Sequence, residues 1–501
     1  MKMLLKSIFA GLMLLNVFAA FRSGNVKAES ADPTDPKPLN ILILTVDDMN
    51  FNSLGVFGCP IKGISPNIDQ LAREGLIFTR AFNNTAVCQP CRQSIMTGRY
   101  PHNNGAEGFE PIDPDVPTLP AQLRKAGYFN GILGKEIHHQ PVEQFAWDFI
   151  PFITEKDSIW RHSNSRNPAM FYKYSREFFA MAKEQNKPFF FLANSHDPHR
   201  PFVGSAEDTL EFGKWLPPVT KQFRPDEVNV LGFLPDIPDV RKEVAQYYGS
   251  VYRADQSIGA VLNALDESGL ADNTLVIFFS DHGAAFPFAK SQCYFNSNKT
   301  PLIVRWPHKI APGSVDSVDM VSGIDLMPTV LEALHLPLVP QLDGRSYLPL
   351  LEGKRQHDRN YVFTTYYQIF AKIRYPMRSL QDEEYGYIYN FWSDGKVRMT
   401  GDATGGLTWK AMVKAAKTDP KIAQRVELYL HRIPEEFYDY KKDPDALHNL
   451  IDDPAYASII SRFRKKMLQV MKESKDPAYA AFKNRSTPGA ISQFMEEQRE
   501  K

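Results

Sequence analysis

Cysteine is scarce in this 501-residue chain, and its four cysteines are too few for a disulfide-stabilised scaffold. An excess of one charge is also lacking: Lys and Arg number 58, as do Asp and Glu, which argues against a dedicated nucleic-acid-binding protein. Glycine (29) and proline (37) are too rare for a collagen-like or disordered chain. What is present, 43% apolar and 23% charged residues, indicates a globular protein with a sizeable core, in two or three domains or one large and one small.

The first thirty residues have the pattern of a secretory signal peptide. Lys2 and Lys6 stand just before an apolar stretch, Ile8–Ala20. This stretch is shorter than the roughly 20 residues that span a bilayer. Val26-Lys27-Ala28 places small residues at the spacing of a signal-peptidase site. We therefore predict a signal peptide over residues 1–28, cleavage near Ala28 and export to the periplasm or outside the cell. No later apolar run is long enough for a membrane anchor.

Short apolar runs alternate with helical patterns along most of the chain. The runs predict buried strands at Leu39–Val46, Tyr128–Leu133, Pro188–Ala193, Thr274–Phe279 and Leu302–Arg305. The helical patterns lie between them, at Asn67–Glu74, Arg92–Thr97, Leu119–Ala126, Phe171–Gln185 and Asp239–Leu265. This alternation predicts an α/β fold with a large mixed, mostly parallel sheet sandwiched by helices.

The composition changes after about residue 360. Aromatic, alternating segments such as Tyr385–Trp392 predict a smaller C-terminal α+β domain with an antiparallel sheet. We place the large domain at residues 37–360, the smaller one at 361–485 and a tail at 486–501.

Charged or imidazole side chains follow four of the predicted strands. They are Asp47-Asp48; Gly134-Lys135 with His138 and His139; the run from His196 through Asp197, Pro198 and His199 to Arg200; and Asp281-His282-Gly283. Because ligands bind beyond the carboxyl ends of strands in open α/β sheets, we expect these groups to meet at one edge.

The sharpest local pattern runs from Cys88 to Arg99, with the sequence CQPCRQSIMTGR. It resembles the signature of the sulfatase family, C-x-P-S-R followed by x-S-x-x-T-G-R. The similarity spans roughly Leu39 to Leu450. It implies that Cys88 is oxidised to formylglycine, an aldehyde, by a maturing enzyme before or during export.

The same resemblance implies a metal site formed by Asp47, Asp48, Asp281, His282 and residue 88. Clustered carboxylates repel one another without a cation, and their hard oxygens suit Ca²⁺. Relatives commonly have Asn where His282 stands, and imidazole tolerates softer metals, so the metal's identity stays open.

The family's mechanism implies roles for the remaining site residues. One hydroxyl of the hydrated aldehyde attacks sulfur, and the other then expels sulfate from the covalent sulfo-enzyme. Residue 88 would begin the helix that runs through Thr97, and the N-terminus of a helix favours anions. Arg92, about one turn on, would hold the hydrate and the oxygens on the metal side. Candidates for clamping the sulfonate and protonating the leaving group are Lys135, His138, His196 and Lys290. The family's usual histidine position is Ile137 here, and His138 takes its place if the loop has one extra residue.

Within the family, residues 188–200 and Tyr375–Ser379 are similar to heparan N-sulfatases and their bacterial relatives. His199, Arg200 and Arg378 are therefore candidates for substrate binding. We expect an exported sulfatase of a sulfated carbohydrate, with N-sulfoglucosamine of heparan as the first candidate. The alternatives are an O-sulfatase of another polysaccharide, such as a marine algal one, a pseudo-sulfatase that only binds sulfated glycans, and a phosphatase or phosphodiesterase of the same superfamily.

Other interpretations of single motifs stay open at this point. Cys88 and Cys91 form a C-x-x-C unit that would suit a redox dithiol, and Cys91 stands where the family usually has Ser. Aspartates after a strand also cap helices and turns. A structural hydrogen bond is an alternative role for His196 and His199. The pairing of Cys59, Cys91 and Cys293 is not determined by the sequence.

Overall fold

The computed structural model describes residues 38–152 and 158–500, so the predicted signal peptide lies outside the described residues. The strands in this part of the chain are β1 (Asn40–Val46), β2 (Leu76–Phe78), β3 (Ala81–Phe82), β4 (Phe129–Leu133), β5 (Phe189–Asn194), β6 (Thr274–Ser280), β7 (Leu302–Arg305), β8 (Ser314–Asp316), β9 (Val321–Ser322), β10 (Val362–Gln368), β11 (Arg374–Gln381), β12 (Tyr385–Asn390) and β13 (Glu435–Asp439).

The α-helices found in the same ranges are α1 (Pro66–Arg73), α2 (Cys88–Thr97), α3 (Pro101–Asn104), α4 (Leu119–Lys125), α5 (Ser158–Asn164), α6 (Pro168–Glu184), α7 (Ala206–Phe212), α8 (Pro238–Ser268), α9 (Phe295–Asn298), α10 (Leu326–Ala333), α11 (Leu348–Leu351), α12 (Leu407–Ala415), α13 (Pro420–His431), α14 (Ala457–Glu473), α15 (Tyr479–Lys483) and α16 (Ala490–Glu500). None of them is both long and apolar enough to cross a membrane.

The large sheet has the strand order β4-β5-β1-β6-β7-β2-β8. Strands β4, β5, β1 and β6 are parallel to one another, and β4 forms an edge of the sheet. Strand β7 is antiparallel to both of its neighbours, and β2 and β8 are parallel to each other. The predicted α/β fold with a mixed, mostly parallel sheet is therefore confirmed, and all five predicted strands belong to it.

Alternate residues of β1 face two separate cores. Leu42 and Leu44 pack in the core that includes α6 and α8, whereas Ile41 and Ile43 pack in the core that includes α2 and α10. Because both faces are covered, every residue of β1 is buried, and this explains the unbroken apolar run in the sequence.

A second sheet lies C-terminal to the first, with the antiparallel order β10-β11-β12-β13. This confirms the predicted antiparallel sheet beyond residue 360. Residues 38–500 belong to one compact unit. The division into domains at residue 360 stays a prediction.

The helix that carries the cysteine motif, α2, starts at Cys88 itself. Pro90 is its third residue, where the missing N–H breaks no intrahelical hydrogen bond. The helix ends at Gly98, which has a left-handed backbone (φ 63°). The left-handed conformation favours glycine at this position, and a Cβ there would also displace Leu342 Cδ2, which would lie 2.6 Å away.

Candidate active site

The carboxyl ends of the central strands bring the predicted residues to one edge of the sheet. Hydrogen bonds join the chain segments just beyond β1, β5 and β6: Asp47 N–H donates to Asp197 O (3.1 Å), and Asp281 N–H donates to Val46 O (3.2 Å). Asp48 and Lys135, which follow β1 and β4, have left-handed backbones (φ 65° and 58°). Such strain in non-glycine residues is concentrated at functional sites.

Four side chains converge on a space that suits a cation. Asp47, Cys88, Asp281 and His282 are buried, and each has a ligand atom within 4.8 Å of the others. His282 Nε2 lies 3.4 Å from Cys88 Sγ and 3.4 Å from Asp48 Oδ1. His282 Nδ1 lies 3.0 Å from the carbonyl of Gly283, and a proton held there leaves Nε2 free to act as a ligand.

The donor set fits a divalent cation. Oδ1 of Asp47 is buried and receives no hydrogen bond from the described residues. The carboxylates of Asp48 and Asp281 and the imidazole of His282 lie nearby. An unsatisfied buried carboxylate oxygen is costly unless a cation occupies the space. Asp47, Asp281 and His282 would hold the ion, with an oxygen on residue 88 as a further ligand. Asp48, which forms a second such group with Cys88 and His199, lies 3.4 Å from His282 Nε2 through its Oδ1 and would complete the set.

Three buried cations balance the three carboxylates. Arg92 donates to Asp281 Oδ2 (2.9 Å) and to Asn194 Oδ1 (2.8 Å). Lys135 forms an ion pair with Asp47, and Lys290 Nζ lies 2.9 Å from Asp48 Oδ2. A divalent cation would therefore leave the site with an excess of positive charge, which is suited to an anionic substrate.

Burial and mutual repulsion shape the acidity of these groups. Burial opposes ionisation of Asp47, but Lys135, His199 and Arg92 together hold the pKa of its carboxyl well below the usual value. Burial and the charge of Asp47 raise the pKa of Asp281 to about 6. Burial and the same charge raise the pKa of the Cys88 thiol well above its ordinary value. Burial thus favours the protonated thiol at Cys88, which is a poorer nucleophile than a thiolate.

The predicted histidines lie on the Lys135 side of the site. His196 Nε2 is 3.0 Å from Lys135 Nζ, and its Nδ1 is 3.2 Å from Ser165 Oγ. Since the ammonium can only donate, His196 is neutral and carries its proton on Nδ1. Burial, with the charge of Lys135 adding to it, also lowers the pKa of His138 well below the usual value. Both rings are therefore neutral beside a buried lysine.

The three predicted substrate-binding residues have different surroundings. The His199 side chain is 27% exposed, and its Nε2 lies 3.9 Å from Asp48 Oδ2, at the rim of the site. Arg200 forms an ion pair with Glu243 and donates to Ala285 O (3.0 Å), so its guanidinium is largely engaged by the protein.

Arg378 requires a correction. Its side chain has no exposed surface, and it forms a bidentate ion pair with Asp476, with an Nη2–Oδ1 distance of 2.9 Å. Nη1 donates to the backbone carbonyls of Tyr366 and Met377. A guanidinium whose donors face buried protein acceptors cannot reach a substrate, so we assign Arg378 a structural role instead.

Sequence reasoning missed two further residues. Arg166 is buried and donates to the backbone carbonyls of His196, His199 and Arg200, so it holds the loop that carries both histidines. Asp402 lies 3.1 Å from Lys290 Nζ. Neither belongs to a motif, and only their spatial neighbours identify them.

All four cysteines, which lie in the described part of the chain, are buried and free. Cys91 Sγ donates to the backbone carbonyl of Asp281 at 2.9 Å instead of pairing with Cys88. The structure therefore holds Cys91 by a hydrogen bond that a serine hydroxyl would also make.

Comparison with known proteins identifies the family. The sulfatase family profile matches residues 39–336, and a profile described as N-sulphoglucosamine sulphohydrolase, C-terminal, matches residues 282–401. Human N-sulphoglucosamine sulphohydrolase is 30% identical over 472 residues, covering 88% of this chain and 91% of the human protein. An ulvan-active sulfatase of Formosa agariphila is 29% identical over 469 residues, covering 91% of this chain and 86% of that protein.

A solved structure also has the same fold. In that structure, the solved protein is in complex with its own substrate, D-glucosamine-2-N,6-O-disulfate. The two structures superpose with a TM-score of 0.66 at 19% sequence identity, covering 88% of this chain and 99% of the solved chain. At this identity the likeness shows the fold alone. The family profile and the human relative go further: the chain belongs to the sulfatase family and is a sulfuric ester hydrolase.

Proposed function

We propose that the protein is an exported sulfatase that removes sulfate from a sulfated carbohydrate, using formylglycine at position 88 and a divalent cation. The observation that carries this proposal is the position of Cys88. It is the first residue of α2, it is 3.4 Å from His282 Nε2, and it shares a cluster of ligand atoms with Asp47 and Asp281. The four residues thus form a single reaction centre.

The chain's own groups account for binding and charge stabilisation. Arg92, Lys135 and Lys290 present buried positive charge to a sulfonate, in a site where water does not screen it. The N-terminus of α2 adds a partial positive charge at residue 88. Neutral His196, whose Nε2 accepts from Lys135, keeps the ammonium pointed into the site.

Two groups would supply the remaining chemistry. A divalent cation held by Asp47, Asp48, Asp281 and His282 would bind sulfonate oxygens and acidify a hydroxyl on residue 88. An aldehyde at residue 88, once hydrated, would supply two hydroxyls, one as the nucleophile toward sulfur and one for the release of sulfate. We propose Ca²⁺ as the cation because three of the four side chains offer hard oxygen donors. A sulfatase-maturing enzyme would be the partner that forms the aldehyde.

The substrate proposal is supported by the relatives. The human relative is named for N-sulphoglucosamine, and the solved structure holds a glucosamine disulfate. We therefore propose N-sulfoglucosamine of heparan as the first substrate to test. The similarity to an ulvan-active sulfatase favours an O-sulfated polysaccharide as the second candidate.

The first experiment is the mass of the tryptic peptide Ala81–Arg92 from protein secreted by its native host. Replacement of the Cys88 sulfur by an aldehyde oxygen is the expected result. The matched variant Cys88→Ala should lose sulfate release from every sulfated sugar while still binding it. Turnover that survives in Cys88→Ala would refute the mechanism, and two intact thiols in the wild-type peptide would favour a glycan-binding protein without catalysis.

A further inference from the structure

Lys290 lies between two carboxylates, one deep and one shallow. Its Nζ is 2.9 Å from Asp48 Oδ2 and 3.1 Å from Asp402 Oδ2. Asp48 is fully buried and Lys290 is 1% exposed, but the Asp402 side chain is 55% exposed. Asp402 is therefore the outermost member of the charged cluster, at the point where the site meets solvent.

One oxygen of Asp402 is available to a ligand. Lys290 forms an ion pair with Oδ2 of Asp402, and none of the described residues donates a hydrogen bond to Oδ1 of Asp402. Lys290 also holds the pKa of Asp402 below its usual value, despite partial burial, so the group is ionised and can only accept hydrogen bonds. A half-exposed carboxylate beside a sulfonate-binding lysine would repel the sulfonate itself, but it suits a neighbouring hydroxyl donor.

The backbone that carries Asp402 is fixed to the large sheet's helices. Glu243 of α8 is 3% exposed and accepts hydrogen bonds from the N–H groups of Leu407 (2.9 Å) and Thr408 (2.6 Å), at the start of α12. These bonds cap the helix that follows Asp402.

Packing beside the cap leaves the segment little freedom. A Cβ at Gly406 would lie 2.4 Å from Arg200 Nη2, and Arg200 is in turn paired with Glu243. A C-terminal segment is thus held in one place against the active-site loop. A carboxylate on such a segment is pre-organised, which is what a specificity contact requires.

We propose that Asp402 is a specificity-determining residue that accepts a hydrogen bond from a hydroxyl of the sugar that carries the sulfate. The inference rests on the proposed function, since it requires a carbohydrate substrate. Asp402 distinguishes a sulfated sugar, which has hydroxyls next to the sulfate, from a sulfate ester without them.

The test compares Asp402→Asn with the wild type on two substrates. One is the sulfated sugar that the wild type hydrolyses best, and the other is 4-nitrophenyl sulfate, which has no sugar hydroxyl. A hydrogen bond to a charged group is worth a factor of roughly 10 to 100 in kcat/KM. We expect that loss on the sugar and a change of less than about threefold on the aryl sulfate.

Two controls make the comparison specific. Asp394→Asn alters an exposed carboxylate of the same C-terminal region that accepts backbone N–H groups from Lys396 and Val397, and it should leave both substrates unchanged. Mono-deoxy analogues of the sugar identify the donor, because the effect of Asp402→Asn should vanish for the analogue that lacks the contacted hydroxyl.

Each other outcome overturns the inference. An equal loss on sugar and aryl sulfate means that Asp402 acts only by positioning Lys290. Unchanged kinetics on both substrates mean that it makes no contact. A wild-type enzyme that hydrolyses the aryl sulfate but no sulfated sugar refutes the proposed function, and the inference with it.

Discussion

Replacing Arg166 by methionine should destabilise the protein far more than replacing a surface arginine. Arg166 is 1% exposed and donates to four acceptors: Asp197 Oδ1 (3.1 Å) and the carbonyls of His196 (3.1 Å), His199 (3.2 Å) and Arg200 (3.0 Å). Methionine fills the space of the aliphatic stem but donates nothing, so all four acceptors lose this donor. The carbonyls of His196 and Arg200 keep another contact, with His199 N–H (3.1 Å) and His199 Nδ1 (2.6 Å) respectively. Asp197 keeps its ion pair with Arg253.

The magnitude follows from this count. Each of the four lost hydrogen bonds contributes about 0.5–1.5 kcal/mol net. We therefore expect the free energy of unfolding to fall by about 2–6 kcal/mol. The activity of the folded fraction should fall as well, because the loop with His196 and His199 loses its support.

Urea unfolding followed by tryptophan fluorescence measures the effect. The matched control is Arg176→Met, since the Arg176 side chain is 61% exposed and its nearest acid, Glu267, is 3.8 Å away. That variant should change the free energy of unfolding by less than about 0.5 kcal/mol. If Arg166→Met costs no more than about 1 kcal/mol, the hydrogen bonds do not support the loop and the reasoning is wrong.

Three further predictions concern the metal, a corrected residue and the thiols. Ca²⁺ at about 100 times its Kd should raise the free energy of unfolding by about 2.7 kcal/mol relative to protein in EDTA. Asp281→Asn should abolish this stabilisation, and the exposed control Asp272→Asn should keep it. Stabilisation by Ca²⁺ that survives in Asp281→Asn would place the ion elsewhere. Arg378→Met should lower the free energy of unfolding by about 3–5 kcal/mol, because it leaves Asp476 unpaired. The same variant should change KM by less than about twofold. A large rise in KM without loss of stability would restore the predicted role of Arg378 in substrate binding. Burial raises the pKa of Cys293 to about 12, so iodoacetamide at pH 8.5 should alkylate it at least about 100-fold more slowly in native protein than in urea, and equal rates would contradict its burial.

Much of the site was predictable because its residues follow strands in the sequence. Asp47, Lys135, His196 and Asp281 each come directly after, or two residues after, a buried strand, and parallel strands bring such positions together. The helix that begins at Cys88 was predictable from its motif.

What the sequence did not reveal depends on contacts between distant segments. Arg166 and Asp402 reach the site from positions with no periodic or motif pattern around them. Arg378 matched a family segment, but its burial against Asp476, 98 residues later, could not be read from that segment. The strands β2 and β8 have three residues each, too few to produce a hydropathy signal.

The burial of Cys88 limits the stage of folding at which its side chain is accessible to another enzyme. Its side chain is 3% exposed and lies at the base of a site formed by segments as far apart as residues 47 and 402. Another enzyme's active site cannot enter that space once the segments have met. The conversion of Cys88 that we propose would therefore have to precede folding, and the modified fraction would depend on the relative rates of modification and folding. Faster folding in a foreign host would then lower the yield of active enzyme without changing its structure.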